Sequence, residues 1–224
     1  MRIVLRIGGS VIASPIDRDL IAKYADVLGK LKAEGHDVAV VVGGGALARE
    51  FIQIAKSLGL DEDAQDEIAI SVSRIFAQLF SEKIGKDACE TIPLTIKDAL
   101  RHLDKGKVVV MGGLKPGMTT DTVAALIAER LKADLLVKGT DQDGVYDKDP
   151  KKHPDAVKID HLSTDDLLSF FSEKKHKAGI HQIIDPEAVK ILSRYRVKTV
   201  VVDGFNPENV LMAVEGKPVG TLIA

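Results

Sequence analysis

The sequence contains no tryptophan, a single cysteine and few aromatic residues. Its 224 residues include one Cys, no Trp and 4% aromatic side chains. A lone cysteine, Cys89, cannot form a disulfide within the chain, and it excludes a metal site built from several thiolates. We interpret Cys89 as a buried structural residue. This usage fits a reducing compartment, and we expect a cytoplasmic protein.

The chain also lacks an excess of charge and a long apolar run. Lys and Arg total 31 against 33 Asp and Glu, which gives a formal net charge of -2. No overall field therefore attracts nucleic acid or an anionic membrane, so any anionic ligand must be held by local contacts. The apolar start, MRIVLRIGGS, is much too short to span a bilayer and has no signal-peptide cleavage site. We expect neither nucleic acid nor a membrane as a partner.

Short β-branched runs alternate with stretches of helical periodicity along the chain. This alternation predicts an α/β fold, a three-layer αβα sandwich with a mainly parallel central sheet. We expect a single domain over residues 1–224, with approximate lobes 1–134 and 135–224. Expected strands cover residues 3–7, 38–42, 108–111, 135–138 and 197–202, and expected helices cover residues 17–33, 47–58, 62–84, 120–131, 186–193 and 207–214.

Glycines follow several of the predicted strands. They are Gly8 and Gly9, Gly43 to Gly45, Gly112 and Gly113, and Gly139. The carboxyl ends of parallel strands share one sheet edge, where ligands bind in open α/β folds. Backbone amides of glycine loops can approach an anion closely, and a following helix N-terminus favours negative charge. The pattern predicts a polyphosphate site, whereas the simpler alternative is that these glycines only turn the chain.

Other nucleotide and catalytic motifs are absent or out of context. Gly43, Gly45 and Ala48 match GxGxxG/A, but the following DEDAQDEIAISVSRIF predicts a helix where a dinucleotide fold needs a strand. No GxxxxGK precedes Ser or Thr, and no nucleophile arrangement of Ser-His-Asp or Cys-His type is discernible. The six histidines lack metal-ligand spacing. We interpret the basic run EKKHK, residues 173–177, as a solvated loop.

The segment MGGLKPGMTTDTVAAL, residues 111–126, is the first dense cluster of candidate site residues. Gly112 and Gly113 would bring backbone close to an anion, and Thr119 and Thr120 offer hydroxyls at a helix start. The carboxylate of Asp121 would repel a phosphate unless cations lie between them. We therefore interpret Asp121 as organising a lysine, an arginine or magnesium-bound water. The alternative is helix capping with dipole compensation.

Two further segments suit a nucleotide pocket. In GTDQDGVYDKDP, Thr140 follows a predicted strand and Tyr146 could pack against a base. The alternative is a compact Asp-Gly turn, and the segment is too short for an EF-hand and lacks its closing glutamate. In DEDAQDEI, Asp66 could accept hydrogen bonds from a sugar diol, whereas the neighbouring acids at 61–63 favour dipole compensation.

The predicted helix 62–84 has more apolar positions than one sheet face needs. An oligomer would bury the surplus. The alternative is complete burial within the monomer.

These blocks resemble the amino acid kinase superfamily and, within it, the UMP kinases of archaeal type. The matching blocks are RIGGSV, VVVGGGALAREF, QDEIAI, VMGGLKPGMTTDTVAALIAE, GTDQDGVYDKDP and VEGKPVGTLI, in this order along essentially the whole chain. The resemblance implies transfer of the ATP γ-phosphoryl group to UMP in pyrimidine nucleotide synthesis, giving UDP and ADP. It implies Mg2+ held through phosphates and water, with no protein metal ligand. It also implies a homohexamer.

The resemblance implies a role for each site residue by position. Arg6 and Asp121 are implied as catalytic. The implied ATP-binding residues are Gly9, Ser10, Gly45, Arg49, Thr140, Asp141, Tyr146 and Asp149. The implied UMP-binding residues are Gly44, Asp66, Leu114, Lys115, Pro116, Gly117, Met118, Thr119 and Thr120. Asp66 would take the ribose hydroxyls, and the loop would read uracil and hold the UMP phosphate.

The chain departs from the family pattern at several positions. Arg6 stands where many superfamily kinases have lysine, and its planar head changes the geometry at the transferring group. Ala69 and Phe76 replace an expected glycine and asparagine. The alternatives are a related kinase acting on isopentenyl phosphate, carbamate or an amino acid, and a non-catalytic nucleotide-binding or storage relative. Residues 179–185 lack the second lysine of acetylglutamate kinases, and residues 46–49 lack the histidine of isopentenyl phosphate kinases.

Overall fold

The computed structural model describes residues 1–172 and 183–224, so the run EKKHK at 173–177 lies outside the described residues. Strands and helices alternate along the chain. The strands are β1 (Arg2–Ile7), β2 (Asp37–Val42), β3 (Val109–Met111), β4 (Leu135–Thr140), β5 (Val145–Tyr146), β6 (Lys158–Ile159), β7 (His161–Leu162), β8 (Thr199–Asp203) and β9 (Thr221–Ile223). The helices are α1 (Gly9–Ile12), α2 (Arg18–Ala33), α3 (Gly45–Ser57), α4 (Glu62–Ile84), α5 (Ile96–Asp104), α6 (Thr120–Leu131), α7 (Thr164–Ser172), α8 (Pro186–Tyr195) and α9 (Glu208–Val214).

A seven-stranded sheet in the order β3-β2-β1-β4-β8-β9-β7 forms the middle layer. The pairs from β3 to β8 are parallel, β9 runs antiparallel to β8, and β7 is parallel to β9. Strands β5 and β6 form a separate antiparallel pair. The predicted mainly parallel central sheet is confirmed.

Successive strand residues point to opposite sides of the sheet. Because both sides are apolar in this protein, helices cover both faces. Ile3, Leu5 and Ile7 of β1 face the cluster that includes Tyr24 of α2 and Phe76 of α4. The other face carries a second cluster, which includes Val4 and residues of α5, α6, α7 and α8 such as Ala99, Ile127, Leu167 and Leu192. This arrangement is the predicted three-layer αβα sandwich.

The predicted strands and helices are present, with shifted ends. Strand β4 continues through Gly139 to Thr140, so the expectation that Gly139 follows the strand is wrong. A Cβ atom at Gly139 would lie 3.0 Å from the Tyr24 hydroxyl and 3.3 Å from Gly204 Cα. Glycine therefore serves close packing within the sheet at this position. Helices α1, α5 and α7 and the short strands β5, β6, β7 and β9 were not expected from the sequence.

Helix α4 is buried on one side only. Phe76 and Phe80 are in the core, whereas Ile75 and Leu79 are 56% and 48% exposed. The alternative of complete burial within the monomer is therefore wrong. No helix in the described ranges combines the length and apolar character needed to cross a membrane.

Tyr24 links α2 to the sheet through a buried hydrogen bond. Its hydroxyl donates to the backbone oxygen of Gly204 at 2.7 Å, and its ring packs edge-on against Phe80. Burial, with a further contribution from Asp203, raises the pKa of Tyr24 above its ordinary value. The hydroxyl therefore stays protonated and continues to donate.

We expect Tyr24→Phe to lower the free energy of unfolding by about 1–3 kcal/mol, because the buried Gly204 oxygen loses its donor. Urea denaturation measures this change. Tyr195→Phe is the matched control, since Tyr195 is 47% exposed and its substitution should leave the midpoint unchanged. Equal midpoints for both variants would contradict the assignment of a stabilising role to the Tyr24 hydroxyl.

Candidate active site

The carboxyl ends of β1, β2, β4 and β8 meet at one edge of the sheet. The Gly8 amide donates to the oxygen of Gly139 at 2.9 Å, the Gly43 amide to Ile7 at 3.1 Å, and the Gly204 amide to Thr140 at 2.7 Å. The loops that follow these strands are therefore joined to their neighbours by backbone hydrogen bonds. They form a continuous rim at the edge where open α/β sheets bind ligands.

Two glycine loops cross in contact on this rim. A Cβ atom at Gly9 would lie 2.1 Å from Gly45 N, and one at Gly45, where φ is +61°, would lie 2.2 Å from Gly9 O. The Ser14 hydroxyl joins the same loops by accepting from the Ala46 amide at 2.9 Å. Gly44, the N-cap of α3, makes no side-chain cap. The Ala46 amide in the first turn is occupied, because it also donates to Ala13 O at 3.0 Å, so an anion here would be favoured chiefly by the dipole of α3.

Arg6, Asp121 and Lys138 form a buried ionic cluster beside the crossing. Lys138 Nζ lies 2.6 Å from Asp121 Oδ1 and 2.5 Å from Oδ2. Arg6 Nε lies 2.6 Å from Asp121 Oδ1, and Arg6 Nη2 donates to the Thr120 hydroxyl at 3.0 Å. The Nε–H makes no aligned hydrogen bond, so charge attraction holds that pair. The carboxylate of Asp121 is shared between the arginine and the lysine.

Burial and charge act in opposite directions on this cluster. Burial alone raises the pKa of Asp121, but Arg6 and Lys138 outweigh it, so the pKa lies below the usual value. Burial, followed by the nearby charge of Arg6, lowers the pKa of Lys138 to about 8, while Asp121 opposes this shift. Asp121 is therefore ionised at neutral pH, and Lys138 is mostly protonated.

A cavity of about 360 Å³ opens next to the cluster, between α4 and the loop before α6. Of the residues predicted to bind the acceptor, Gly44, Asp66, Lys115, Gly117, Met118, Thr119 and Thr120 line it, together with Ala48, Ala69, Ile70, Ser73 and Gly113. Leu114 and Pro116 belong to the same loop but do not line the cavity. Leu114 packs instead against the second core cluster.

Helix α4 holds this loop through several hydrogen bonds. Asp66 Oδ2 accepts from the Gly117 amide at 2.8 Å. Arg74 donates from Nε to Gly113 O at 3.1 Å and from Nη2 to Leu114 O at 3.0 Å. The sequence interpretation did not identify Arg74, because an arginine within an apolar helix pattern looks like an ordinary surface residue.

The expectation that Gly112 and Gly113 bring backbone close to an anion stays a prediction, although the amide of Gly113 is already occupied. The Gly113 amide donates to the Ser73 hydroxyl at 2.9 Å. A Cβ atom at Gly112 would lie 2.5 Å from the same hydroxyl oxygen. These glycines allow α4 to pack closely against the end of β3.

The start of α6 is tied to the start of α8 through one carboxylate. Asp185, the N-cap of α8, accepts from the amides of Glu187 and Ala188 at 2.9 and 3.0 Å. It also accepts from the hydroxyls of Thr119 and Thr122. Thr119 is itself the N-cap of α6, so one acid joins the beginnings of both helices.

The segment after β4 carries several predicted ATP-binding residues. Thr140 donates to Asp141 Oδ1 at 3.2 Å, and Lys151 donates to Asp141 Oδ2 at 2.6 Å. Tyr146 donates to Asp143 Oδ1 at 2.7 Å. This hydrogen bond, assisted by burial, raises the pKa of Tyr146 to about 12, so the phenol is neutral at physiological pH.

The remaining predicted ATP-binding residues are placed differently. Ser10 lies beside Gly8, where a Cβ atom would be 3.3 Å from the Ser10 hydroxyl oxygen. Asp149 is buried and organises its own turn, because its Oδ1 accepts from the Lys151 amide at 3.0 Å. Arg49 is exposed on α3. The contacts described above do not join Arg49 or Asp149 to the ionic cluster.

The Amino acid kinase family model matches residues 1–203 of this chain. The chain belongs to the amino acid kinase family. The resemblance stated from the sequence is thereby confirmed, as is the fold. Within this family member, the ionic cluster and the glycine crossing occupy the carboxyl edge of the sheet.

This amino acid kinase aligns with similar proteins over its whole length. A uridylate kinase from Methanocaldococcus jannaschii is 43% identical, with 100% of this chain and 99% of the relative covered. One from Methanobrevibacter smithii is 39% identical with the same coverage. The crystal structure of a uridylate kinase from Archaeoglobus fulgidus is 41% identical and superposes with a TM-score of 0.89, with both chains covered completely.

We expect Gly45→Ala to lower the free energy of unfolding by about 3 kcal/mol or more, because positive φ and the contact with Gly9 both oppose a side chain. Gly59→Ala is the matched control: Gly59 also has positive φ, but a Cβ atom there would meet nothing within 4 Å. We expect about 1–2 kcal/mol for that control. Equal losses in urea denaturation would show that the crossing imposes no constraint of its own.

Proposed function

We propose that this amino acid kinase transfers the γ-phosphoryl group of ATP to UMP, giving UDP and ADP. The position of Arg6 is the observation that carries the proposal. Its Nη2 donates to Thr120, which lines the 360 Å³ cavity, and a Cβ atom at Gly8 would lie 3.0 Å from its Nη1. Arg6 thus spans the acceptor cavity and the glycine loops. The full-length likeness to uridylate kinases supports UMP as the acceptor.

The proposed reaction rests on positioning and charge neutralisation, because phosphoryl transfer requires little covalent chemistry from the protein. UMP would occupy the cavity, with its phosphate near Gly44 and Thr120. The ATP phosphates would lie over Gly9, Ser10 and Gly45 at the amino terminus of α3, whose dipole favours negative charge. The guanidinium of Arg6 would face the transferring group and stabilise its charge.

The ribose and base of UMP would contact the rest of the cavity. Asp66 already accepts from Gly117 through Oδ2, which leaves Oδ1 to accept from a sugar hydroxyl. The loop of Leu114, Lys115, Pro116, Gly117, Met118 and Thr119 would surround uracil. Lys115, Gly117 and Met118 are its cavity-lining members and are the better candidates for direct contact.

The remainder of ATP would lie along the segment that follows β4. Thr140, Asp141 and Tyr146 are its proposed contacts. Asp149 would affect ATP binding indirectly, through the turn that it organises. Arg49 would contact ATP only if a phosphate extended over α3. The assignment of residues 1–134 to the acceptor side and 135–224 to the ATP side remains a prediction.

Mg2+ would enter with the nucleotide, held through phosphate oxygens and water. The described residues contain no group of three or more His, Cys, Asp or Glu side chains that could hold a metal ion. Both oxygens of Asp121 contact Lys138, so this acid fits an organising role better than direct ligation. Such a nucleotide-borne site suits Mg2+, which keeps several waters. The bound ion would screen the charge of the ATP phosphates.

We also propose that the chain forms a homo-oligomer, with the homohexamer of the family resemblance as its specific form. Large apolar residues are exposed on α3, on α4 and between them. They are Phe51, Ile54, Leu58, Leu60, Ile75 and Leu79, each at least 40% exposed. Contiguous exposed apolar surface is typical of protein interfaces, so association of copies through these helices would bury it.

We expect UMP to be the preferred acceptor when ADP release is measured with UMP, CMP, isopentenyl phosphate and carbamate. Its kcat/KM should exceed that of each alternative at least about tenfold, or roughly 1.4 kcal/mol in transition-state free energy. A higher value for another acceptor would replace the proposed specificity. If the protein binds both nucleotides but releases no ADP, it is a non-catalytic relative.

We expect Asp121→Asn to lower kcat about 100-fold while ATP affinity stays within about threefold, since loss of the carboxylate releases Arg6 from its position. Steady-state kinetics and ATP titration measure the two effects. Asp19→Asn is the matched control, because Asp19 is also an acid in the first turn of a helix but is 80% exposed. Equal kcat values for both variants would contradict the organising role of Asp121 and leave compensation of the helix dipole as its function.

A further inference from the structure

Lys138 and Arg6 are like charges placed side by side inside the sheet. They are register partners on β4 and β1, and neighbouring strands lie only about 4.8 Å apart. Their side chains lie on the face covered by α6 and α8, because Val4 and Leu136, two residues earlier on each strand, belong to that core cluster. Like charges on directly opposed strand residues destabilise a sheet. The repulsion within this pair must therefore be offset by another interaction.

Lys138 is shielded from bulk solvent and does not line the acceptor cavity. The residue is 4% exposed. Together with Arg6 and Asp121, it lines a cavity of only about 10 Å³ whose other walls are the apolar side chains of Ala124, Leu136, Ile184, Ala188 and Leu192. Burying an ammonium group in such a place is costly, and an apolar side chain of similar volume would often be neutral or more stable. Fold stability alone therefore does not account for a lysine here.

The hydrogen bonds of Lys138 identify what it acts on. Its Nζ contacts both carboxylate oxygens of Asp121 at 2.6 and 2.5 Å. The same carboxylate lies 2.6 Å from Arg6 Nε, and Arg6 bonds to Thr120 at the acceptor cavity. The chain of contacts runs from a buried lysine, through one carboxylate, to the guanidinium between the proposed ATP and UMP sites.

We propose that Lys138 is a positioning residue for phosphoryl transfer, which fixes the Asp121 carboxylate and thereby holds the Arg6 guanidinium between the two substrates. The inference rests on the proposed kinase function. It adds a residue that the sequence interpretation did not select.

The charge of this lysine predicts a pH dependence of kcat, which a purely structural role of Lys138 would not produce. The charged groups around it are Arg6 on β1, Asp121 on α6 and Asp185 at the start of α8, and burial leaves the pKa of Lys138 at about 8. Below this pH the ammonium is charged and the cluster keeps its positive charge. As the pH rises through about 8, the proton leaves and the attraction for phosphate weakens. The proposal thus includes a fall in kcat on the alkaline side.

The test compares Lys138→Met, Lys138→Arg and Lys190→Met with the wild type. Lys190 is the matched control, because it lies on α8, which covers Lys138, but is 65% exposed in an ion pair with Glu187. At pH 7 we expect Lys138→Met to lower kcat about 100-fold while the KM for UMP changes less than about threefold. Lys138→Arg should recover at least about tenfold of this loss, since guanidinium keeps the charge and the donors.

The pH profile of kcat between 6.5 and 9.5 is the second measurement. We expect the wild type and Lys190→Met to lose activity around pH 8, and Lys138→Arg to lose this alkaline limb because guanidinium does not titrate there. Wild-type kcat and profile in Lys138→Met would overturn the proposal. If both Lys138 variants fail to fold, a flat wild-type profile overturns it and an alkaline limb near 8 supports it. A wild type without kinase activity would instead refute the proposed function.

Discussion

The arrangement of the whole site depends on one shared carboxylate. Asp121 brings together an arginine from β1 and a lysine from β4, which would otherwise repel each other inside the sheet. Because β1 and β4 are neighbouring central strands, the position of this acid relative to the sheet sets where the guanidinium lies. Helix α6 contributes the acid in its first turn, so the packing of that helix and the electrostatics of the site cannot be separated.

Close backbone contact is the second constraint. The crossing of Gly9 and Gly45 leaves no room for a Cβ atom on either chain, and it brings the loops after β1 and β2 to one point. Gly112 and Gly139 are also required by contact, but with α4 and with Tyr24 and Gly204. Glycine clusters at the ends of strands therefore have two different causes in this protein, and only the crossing belongs to the phosphate-binding edge that we propose.

The sequence was informative where a local pattern carries the chemistry. Alternating apolar runs and helical periods predict the αβα sandwich, and the Thr-Thr-Asp triplet at the start of α6 points to Asp121. The pattern gives no sign of the role of Lys138, because a single lysine at the end of a predicted apolar strand looks like a surface position. Its burial becomes visible only in the packing of α8 over it. Arg74 and Ser73 act through the backbone of a distant loop, and such long-range hydrogen bonds leave no signal in spacing. Strands β5, β6, β7 and β9 have only two or three residues each, and no longer apolar run marks them in the sequence.

Asp185 connects the first turns of α6 and α8 through its side chain. Its side chain caps α8 and also accepts from Thr119 and Thr122 at the beginning of α6. Thr119 donates to Oδ2, whereas the amides of α8 donate to Oδ1, so both contacts depend on the orientation of a single carboxylate. Since α8 also lines the small cavity beside Lys138, any displacement of its first turn would be felt by a lysine that is only 4% exposed.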